Sequence, residues 1–264
     1  MGGKGKKKSR APDDYRRRFY RNAVASQQLL SFSVQVRETD LQILASKMLE
    51  QEARHLVIQY RHHLESYIAE HPAFLHSLTP LPVDYKAPAI VKNMQDASQQ
   101  AGVGPMAAVA GAIAEFVGCG LLKLGAGEII VENGGDIYIQ RRCCCKIAIF
   151  AGSSPLSGRL AVNLRPDQMP IGICTSSGTV GHSLSLGKAD SVTVIAPSTG
   201  LADALATAIG NEIKTEADLH RMIERSKDIP NLTGVILIRG DKMAAWGDIE
   251  LAALPKGLLQ EAGK

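Results

Sequence analysis

No unbroken apolar run of about 18 residues occurs in this chain, because the longest candidate, Gly104–Leu124, is rich in glycine and alanine and is interrupted by Glu115. A membrane span is therefore not expected. The start lacks the apolar segment of about 7–15 residues that a secretory signal requires, since Ala11–Asn22 is strongly polar. The chain is accordingly expected in the cytoplasm, with no membrane partner. Cysteine is scarce: Cys119, Cys143, Cys144, Cys145 and Cys174 make an odd number without paired metal-ligand spacing, which suits reduced thiols. The 12 prolines and 25 glycines are dispersed, which excludes collagen-like and wholly disordered chains. Neither GxxxxGK(S/T) nor GxGxxG is present, so a P-loop and a Rossmann dinucleotide fingerprint are both excluded.

What remains is globular: 264 residues, 45% hydrophobic and 21% charged, enough for a sizeable core. The net charge of +4 comes mostly from Lys4–Arg10 and Arg16, Arg17, Arg18 and Arg21, which read as a solvated tail over residues 1–22 and not as a nucleic-acid contact. Residues 23–264 are expected to form a single α+β domain. Alternation over Ser31–Val36 and Leu41–Ala45 predicts a hairpin. Helical periodicity predicts helices over Lys47–Glu70, Ile90–Gln100, Met106–Gly118 and Leu201–Ile213. Strands are predicted at Glu128–Glu132, Ile137–Gln140, Cys143–Phe150, Leu160–Asn163 and Ser191–Ala196, with a last hairpin of Gly234–Arg239 and Met243–Gly247. In a strand, neighbouring side chains point to opposite faces, so Cys143, Cys144 and Cys145 are not expected to converge and read as buried small residues. The histidines between His55 and His76 read as a charged helix face, with no completed metal shell.

Two segments carry candidate chemistry. Ile173–Ser183 places Thr175, Ser176, Ser177, Gly178, Thr179, His182 and Ser183 in a run with no regular periodicity. Its glycines free backbone N–H groups and its hydroxyls donate, which suits a phosphate-bearing ligand. Further on, Asp203 and Thr207 lie four residues apart on one face of a small-residue helix. A carboxylate with a hydroxyl suits Mg²⁺; equally, Asp203 could serve a helix N-terminus and Thr207 could bond back to its own helix. The small-residue stretch Met106–Gly118 has two equal readings: close approach of a ligand, or a helix packed tightly on a sheet with Gly111 and Gly118 as contact points.

These residues resemble the FAD:protein FMN transferases, the ApbE-like superfamily once linked to thiamine biosynthesis. The resemblance is carried in order by the Gly104–Glu115 helix, Asn133-Gly134-Gly135-Asp136, Thr175-Ser176-Ser177-Gly178 with His182, and Asp203/Thr207. It is nearest to a smaller, uncharacterised branch of that superfamily. What it implies is an ApbE-like α+β fold of mixed, mostly antiparallel sheets packed with helices, with FAD across Asn133–Asp136 and Thr175–Ser183. Mg²⁺ would be held by Asp203, Thr207 and the carbonyl of Ala108. The implied reaction is FMN transfer from FAD to a protein hydroxyl, or a related pyrophosphate cleavage, with His182 as general base. Where the family has a lysine, this chain has Val109 and Ala110, which leaves a non-catalytic flavin or nucleotide binder, or an enzyme of another cofactor pathway, as the alternative. A homodimer is expected from the prevalence of two-fold assemblies.

Overall fold

A computed structural model describes residues 29–177 and 187–254. The chain opens with β1 (Leu30–Val36) and β2 (Thr39–Ala45), which pair antiparallel as the expected hairpin. Alternation decides their faces: Phe32 and Val34 turn inward from β1, and Leu41, Ile43 and Ala45 from β2. Helices α1 (Glu50–Glu70), the single turn α2 (Ala73–His76) and α3 (Ala89–Ala101) follow. The predicted Met106–Gly118 helix begins as a 3₁₀ turn, Pro105–Ala108, and then runs on as α4 (Val109–Lys123). With that turn it is one stretch of the described residues long and apolar enough to cross a membrane, and half of it is buried inside this fold.

Strands β3 (Ile129–Asn133) and β4 (Asp136–Gln140) are joined by Gly134 and Gly135, whose φ angles of 68° and 106° only glycine adopts readily. Positive φ at both central residues matches the twist of a two-residue hairpin, which brings Asn133 and Asp136 into register across it. Then come β5 (Cys145–Ala148), β6 (Leu160–Leu164), β7 (Ile171–Ser176), β8 (Ser191–Ala196), α5 (Thr199–Glu212), α6 (Asp218–Ser226), β9 (Gly234–Arg239), β10 (Lys242–Gly247) and β11 (Glu250–Ala253). Eight strands form one antiparallel sheet in the order β1-β2-β3-β4-β7-β8-β9-β10, and β11-β6-β5 form a second.

The large sheet is covered on both faces. Helices α1, α3, α4 and α5 bury one side through residues such as Val57, Met94, Val117 and Leu205. The small sheet buries the other through Ile130, Ile139, Ile147, Val162 and Ile171. A strand covered on both faces needs no exposed polar alternation, and β3, β4 and β8 are buried along almost their whole length. The α+β architecture of antiparallel sheets and helices is therefore as expected.

Two expectations fail. Ile173–Ser176, taken as the start of an aperiodic run, belongs to the central strand β7, which lies between β4 and β8. Its period is hidden because Gly172 and Cys174 are apolar enough to be buried on the helix face while Ile171 and Ile173 fill the other. The strand predicted from Cys143 starts only at Cys145, leaving Cys143 and Cys144 exposed in the bend that carries the chain from one sheet to the other.

Candidate functional site

The period-two geometry of the sheet sorts the expected binding residues onto two faces. Asn133, Asp136, Cys174 and Ser176 point toward the helices: Asn133 and Asp136 are register partners, and so are Asp136 and Cys174. Thr175 points the other way, where its hydroxyl shares a 2.9 Å hydrogen bond with the Thr193 hydroxyl. Ser176 Oγ approaches Gly210 of α5. Gly134 and Gly135 form the turn beyond, with the Gly135 N–H donated to Glu132 Oε1 at 2.9 Å. Gly135 also accepts from the Thr175 N–H through its carbonyl at 3.3 Å, tying the two expected loops together. Gly178, Thr179, His182 and Ser183 lie outside the described residues.

Above this face, α4 and α5 meet with almost no side-chain volume between them. A Cβ at Gly111 would stand 2.4 Å from the Thr199 carbonyl oxygen, and one at Gly172 would stand 2.4 Å from Thr199 Cα. Glycine at both positions lets the start of α5 touch α4 on one side and β7 on the other. Gly118 faces the Tyr138 ring of β4, as the sheet-packing reading has it, whereas the contact at Gly111 is with helix α5 and not with the sheet. This proximity lets Asp203, one turn into α5, accept the Gly111 N–H on Oδ2 at 2.9 Å. Asn133 Nδ2 donates to the neighbouring Ala110 carbonyl at 3.0 Å. The N-terminus of α4 is therefore clamped between a carboxylate of α5 and an amide of β3.

From Thr199 to Ala206 only Asp203 keeps partial solvent access, and Thr207, one turn on along the same face, keeps it too. The rest of that stretch is buried. Ala108 is fully buried at the junction of the 3₁₀ turn and α4, and this turn packs on α5. Among the described residues no three His, Cys, Asp or Glu side chains group as a metal site. An oxygen set of Asp203, Thr207 and a backbone carbonyl is nevertheless the hard-donor type that Mg²⁺ takes alongside water and substrate phosphate.

Two carboxyls are crowded together here. Burial pushes the Asp203 carboxyl up to about 7, against the opposing pull of the Gly111 and Ala110 N–H groups. Asp136 is raised well above the usual carboxylate range, first by burial and then by the nearby charge of Asp203. Two carboxylates in one poorly hydrated place disfavour each other's ionised form, and a divalent cation removes that penalty. Cys174, beside them, is raised by burial and by both carboxylates, and its Sγ–H reaches the Thr199 carbonyl at 3.4 Å. It is a closed structural thiol.

Sequence reasoning missed Glu115, Cys174 and the backbone of Ala110 and Gly111. Glu115 was legible only as the single acid in an apolar helix. In the structure its Oε2 accepts the Thr199 N–H at 2.7 Å, the Gly200 N–H at 3.3 Å and the Ser198 hydroxyl at 2.9 Å.

The family model described as "AbpE bacteria" matches residues 21–230. A UPF0280 protein of Methanococcus aeolicus is 41% identical over 201 residues, covering 75% of this chain and 81% of its own. A second UPF0280 protein, from Methanothrix thermoacetophila, is 45% identical over 199 residues, covering 75% and 83%. Among solved structures, the flavinyl transferase ApbE of Pseudomonas stutzeri in its apo form superposes with a TM-score of 0.55 at 14% identity, covering 83% of this chain and 93% of that one. The flavin transferase ApbE of Vibrio cholerae gives 0.54 at 16% identity, covering 83% and 96%. These two likenesses establish the fold.

Proposed function

The chain belongs to the ApbE-like family described as "AbpE bacteria", and from that membership we propose that it binds a flavin dinucleotide and cleaves its pyrophosphate with Mg²⁺, passing FMN to a protein hydroxyl. The observation that carries this reading is the convergence of Asn133 and Asp203 on the start of α4, with Asp136 close to Asp203, and with Asp203 and Thr207 on the partly accessible face of α5.

Asp203, Thr207 and the Ala108 carbonyl would hold Mg²⁺, with Asp136 beside them as a second negative charge. When bound, the ion supplies neutralisation of the charge that builds on a pyrophosphate as it breaks. The chain's own residues do the rest. Asn133 fixes the Ala110 carbonyl, and so the start of α4, against which the ligand lies. Gly134 and Gly135 leave the turn free of side chains, and Ser176 and Ser177 offer hydroxyls at its edge. In the proposed transfer the acceptor hydroxyl oxygen bonds to the phosphorus of the FMN half, the bond to the AMP half breaks, and AMP departs. The hydroxyl proton goes to His182. Residues 1–22 are proposed to be a basic tail outside this domain, and residues 23–264 the domain itself.

A second reading is binding without turnover. The lysine that the resemblance places in this helix is replaced by Val109 and Ala110, which here are partly buried in the first turn of α4. Incubation with FAD, Mg²⁺ and an acceptor lysate separates the two. AMP release by wild type, and none by Asp203→Ala, supports the transferase. A melting shift with FAD and no AMP supports the binder. Equal AMP release by wild type and Asp203→Ala overturns the first reading, and no melting shift with any flavin overturns both.

A further inference from the structure

On the side of α5 turned away from Asp203, a partly open cavity of about 250 Å³ lies between α3, the start of α5 and the loop from α6 to β9. Leu201 lines it, and two residues along a helix turn the side chain through about 200°, so the cavity and the candidate flavin site take opposite faces of α5. Helix α3 contributes Asn93, Asp96, Ala97 and Gln100, whose spacing of three and four residues makes one stripe. The floor of the cavity is fixed. Asn93 Nδ2 donates to Ser198 Oγ at 3.3 Å, and Ser198 Oγ donates to Glu115 Oε2 at 2.9 Å. Asn93 Oδ1 packs so close to Gly200 that a Cβ there would stand 2.4 Å from it. At the rim, Asn231 Nδ2 donates to Gln100 Oε1 at 3.3 Å.

The polar groups left over are acceptors. Among the described residues, the Asp96 carboxylate has no ion pair or hydrogen bond, Asn231 Oδ1 has no donor, and Gln100 Oε1 keeps one lone pair unused. No Lys, Arg or His lines the cavity, while Ala97, Pro197 and Leu201 give it an apolar wall. We propose that this cavity binds a small primary alkylammonium ion, its nitrogen among Asp96, Gln100 and Asn231 and its alkyl chain against Ala97, Pro197 and Leu201. Such an ion carries one positive charge, three N–H donors and no acceptor, which matches three acceptors of which one is charged. An apolar cavity of about 150 Å³ holds benzene, so this one suits an alkyl chain of roughly four to eight carbons.

Anionic and zwitterionic ligands do not suit this place. A phosphate would look to the first N–H groups of α5, but these are taken: Glu115 accepts those of Thr199 and Gly200, and Ser198 Oγ accepts that of Leu201 at 3.4 Å. An amino acid would bring its own carboxylate beside Asp96, with no cation in the lining to receive it. A neutral alcohol fills the same apolar wall but leaves the Asp96 charge unanswered.

The experiment titrates the whole, isotope-labelled chain with isoamylamine, leucine and isoamyl alcohol, which share one alkyl chain, and follows the side-chain amide signals of Asn93, Gln100 and Asn231 by NMR. Isoamylamine is expected to shift the Gln100 and Asn231 signals saturably, and leucine and the alcohol to bind on the order of tenfold more weakly. Asp96 is exposed, so Asp96→Asn should fold and melt as wild type while binding isoamylamine about tenfold more weakly. A fourth probe, Nα-acetyl-lysine amide, presents the same ammonium as a lysine of another protein would, and is expected to bind more weakly than isoamylamine. Absence of a saturable shift with isoamylamine overturns the proposal, as does equal affinity for leucine or the alcohol, or an Asp96→Asn variant that binds as wild type does. Tighter binding of the lysine amide overturns it in favour of a protein side chain.

Discussion

Glu115 and Asp203 cap each other's helices: Glu115 of α4 accepts the first N–H groups of α5, and Asp203 of α5 accepts the Gly111 N–H in the first turn of α4. Each helix start presents partial positive charge and N–H groups with no partner inside the helix, so each carboxylate is satisfied by the other's backbone. The exchange fixes the two helices at one axial register, and that register sets the height of Asp203 and Thr207 above Asn133 and Asp136.

Removing Glu115 should therefore loosen the site from a distance. Glu115→Ala leaves the Thr199 and Gly200 N–H groups and the Ser198 hydroxyl without their acceptor in a partly buried place. A loss of about 2 kcal/mol is expected. Glu115→Gln, which keeps an acceptor oxygen but no charge, should lose about half of that. Chemical denaturation of the three proteins measures it, and a Glu115→Ala variant as stable as wild type would show that the cap contributes nothing.

Asp203 also sets a pH dependence whose sign is opposite to ordinary acid denaturation. Its folded-state carboxyl stands at about 7 and its ordinary value is 3.8. Between those values the folded protein keeps a proton that the unfolded chain has released, so ionisation favours unfolding. The contribution is fully present below the ordinary value, is lost as pH rises through that window, and stays lost above it. Asp136, raised for the same reason, adds in the same direction. Acids with lowered values, such as Asp218 and Asp248, pull the other way, so the comparison is with Asp203→Asn. In chelator, the variant should melt closer to wild type at pH 5 and above it at pH 8. Saturating Mg²⁺ should raise only wild type at pH 8, by about 2.7 kcal/mol at 100 times its dissociation constant.

The α4–α5 contact tolerates no side chain. A Cβ at Gly111 would lie 2.4 Å from the Thr199 carbonyl oxygen and 2.9 Å from the Thr199 carbonyl carbon, both parts of a backbone that cannot swing aside, and 2.9 Å from Asp203 Cβ. Gly111→Ala should cost about 1–3 kcal/mol by overpacking even though alanine is the better helix former. Thermal melting of Gly111→Ala decides it; a gain in stability would mean that the two helices separate easily.

The hairpins, the long helices and the Asn133–Asp136 turn were legible because their periodicity and turn chemistry are local. So was the Asp203/Thr207 face, since four residues on a helix fix a side. What was not legible depends on partners distant in sequence. Glu115 reads as an interruption of an apolar helix until the start of α5 is seen beside it. Thr175 and Ser176 read as one cradle until β7 is known to be a strand, after which neighbouring residues must part. Cys143 and Cys144 read as strand residues because the bend before β5 carries neither glycine nor proline to mark it.

That parting of Thr175 from Ser176 gives a direct test of which face binds the ligand. Thr175 Oγ1 is paired with Thr193, and Thr193 also reaches Ser191 at 3.3 Å, all on the face toward the small sheet. Thr175→Val removes one hydrogen bond from this chain of hydroxyls and should cost about 1 kcal/mol of stability while leaving FAD affinity unchanged. Ser176 lies on the helix face close to Gly210, on the side where Asn133 and Asp203 converge. Ser176→Ala should weaken FAD binding several-fold, as expected for about 1 kcal/mol of lost hydrogen bonding, with little change in melting temperature. Titration of flavin fluorescence against the two variants reads both effects at once. If Thr175→Val weakens binding and Ser176→Ala does not, the ligand lies on the small-sheet face, and the proposed role of Asp203 at the pyrophosphate falls with it.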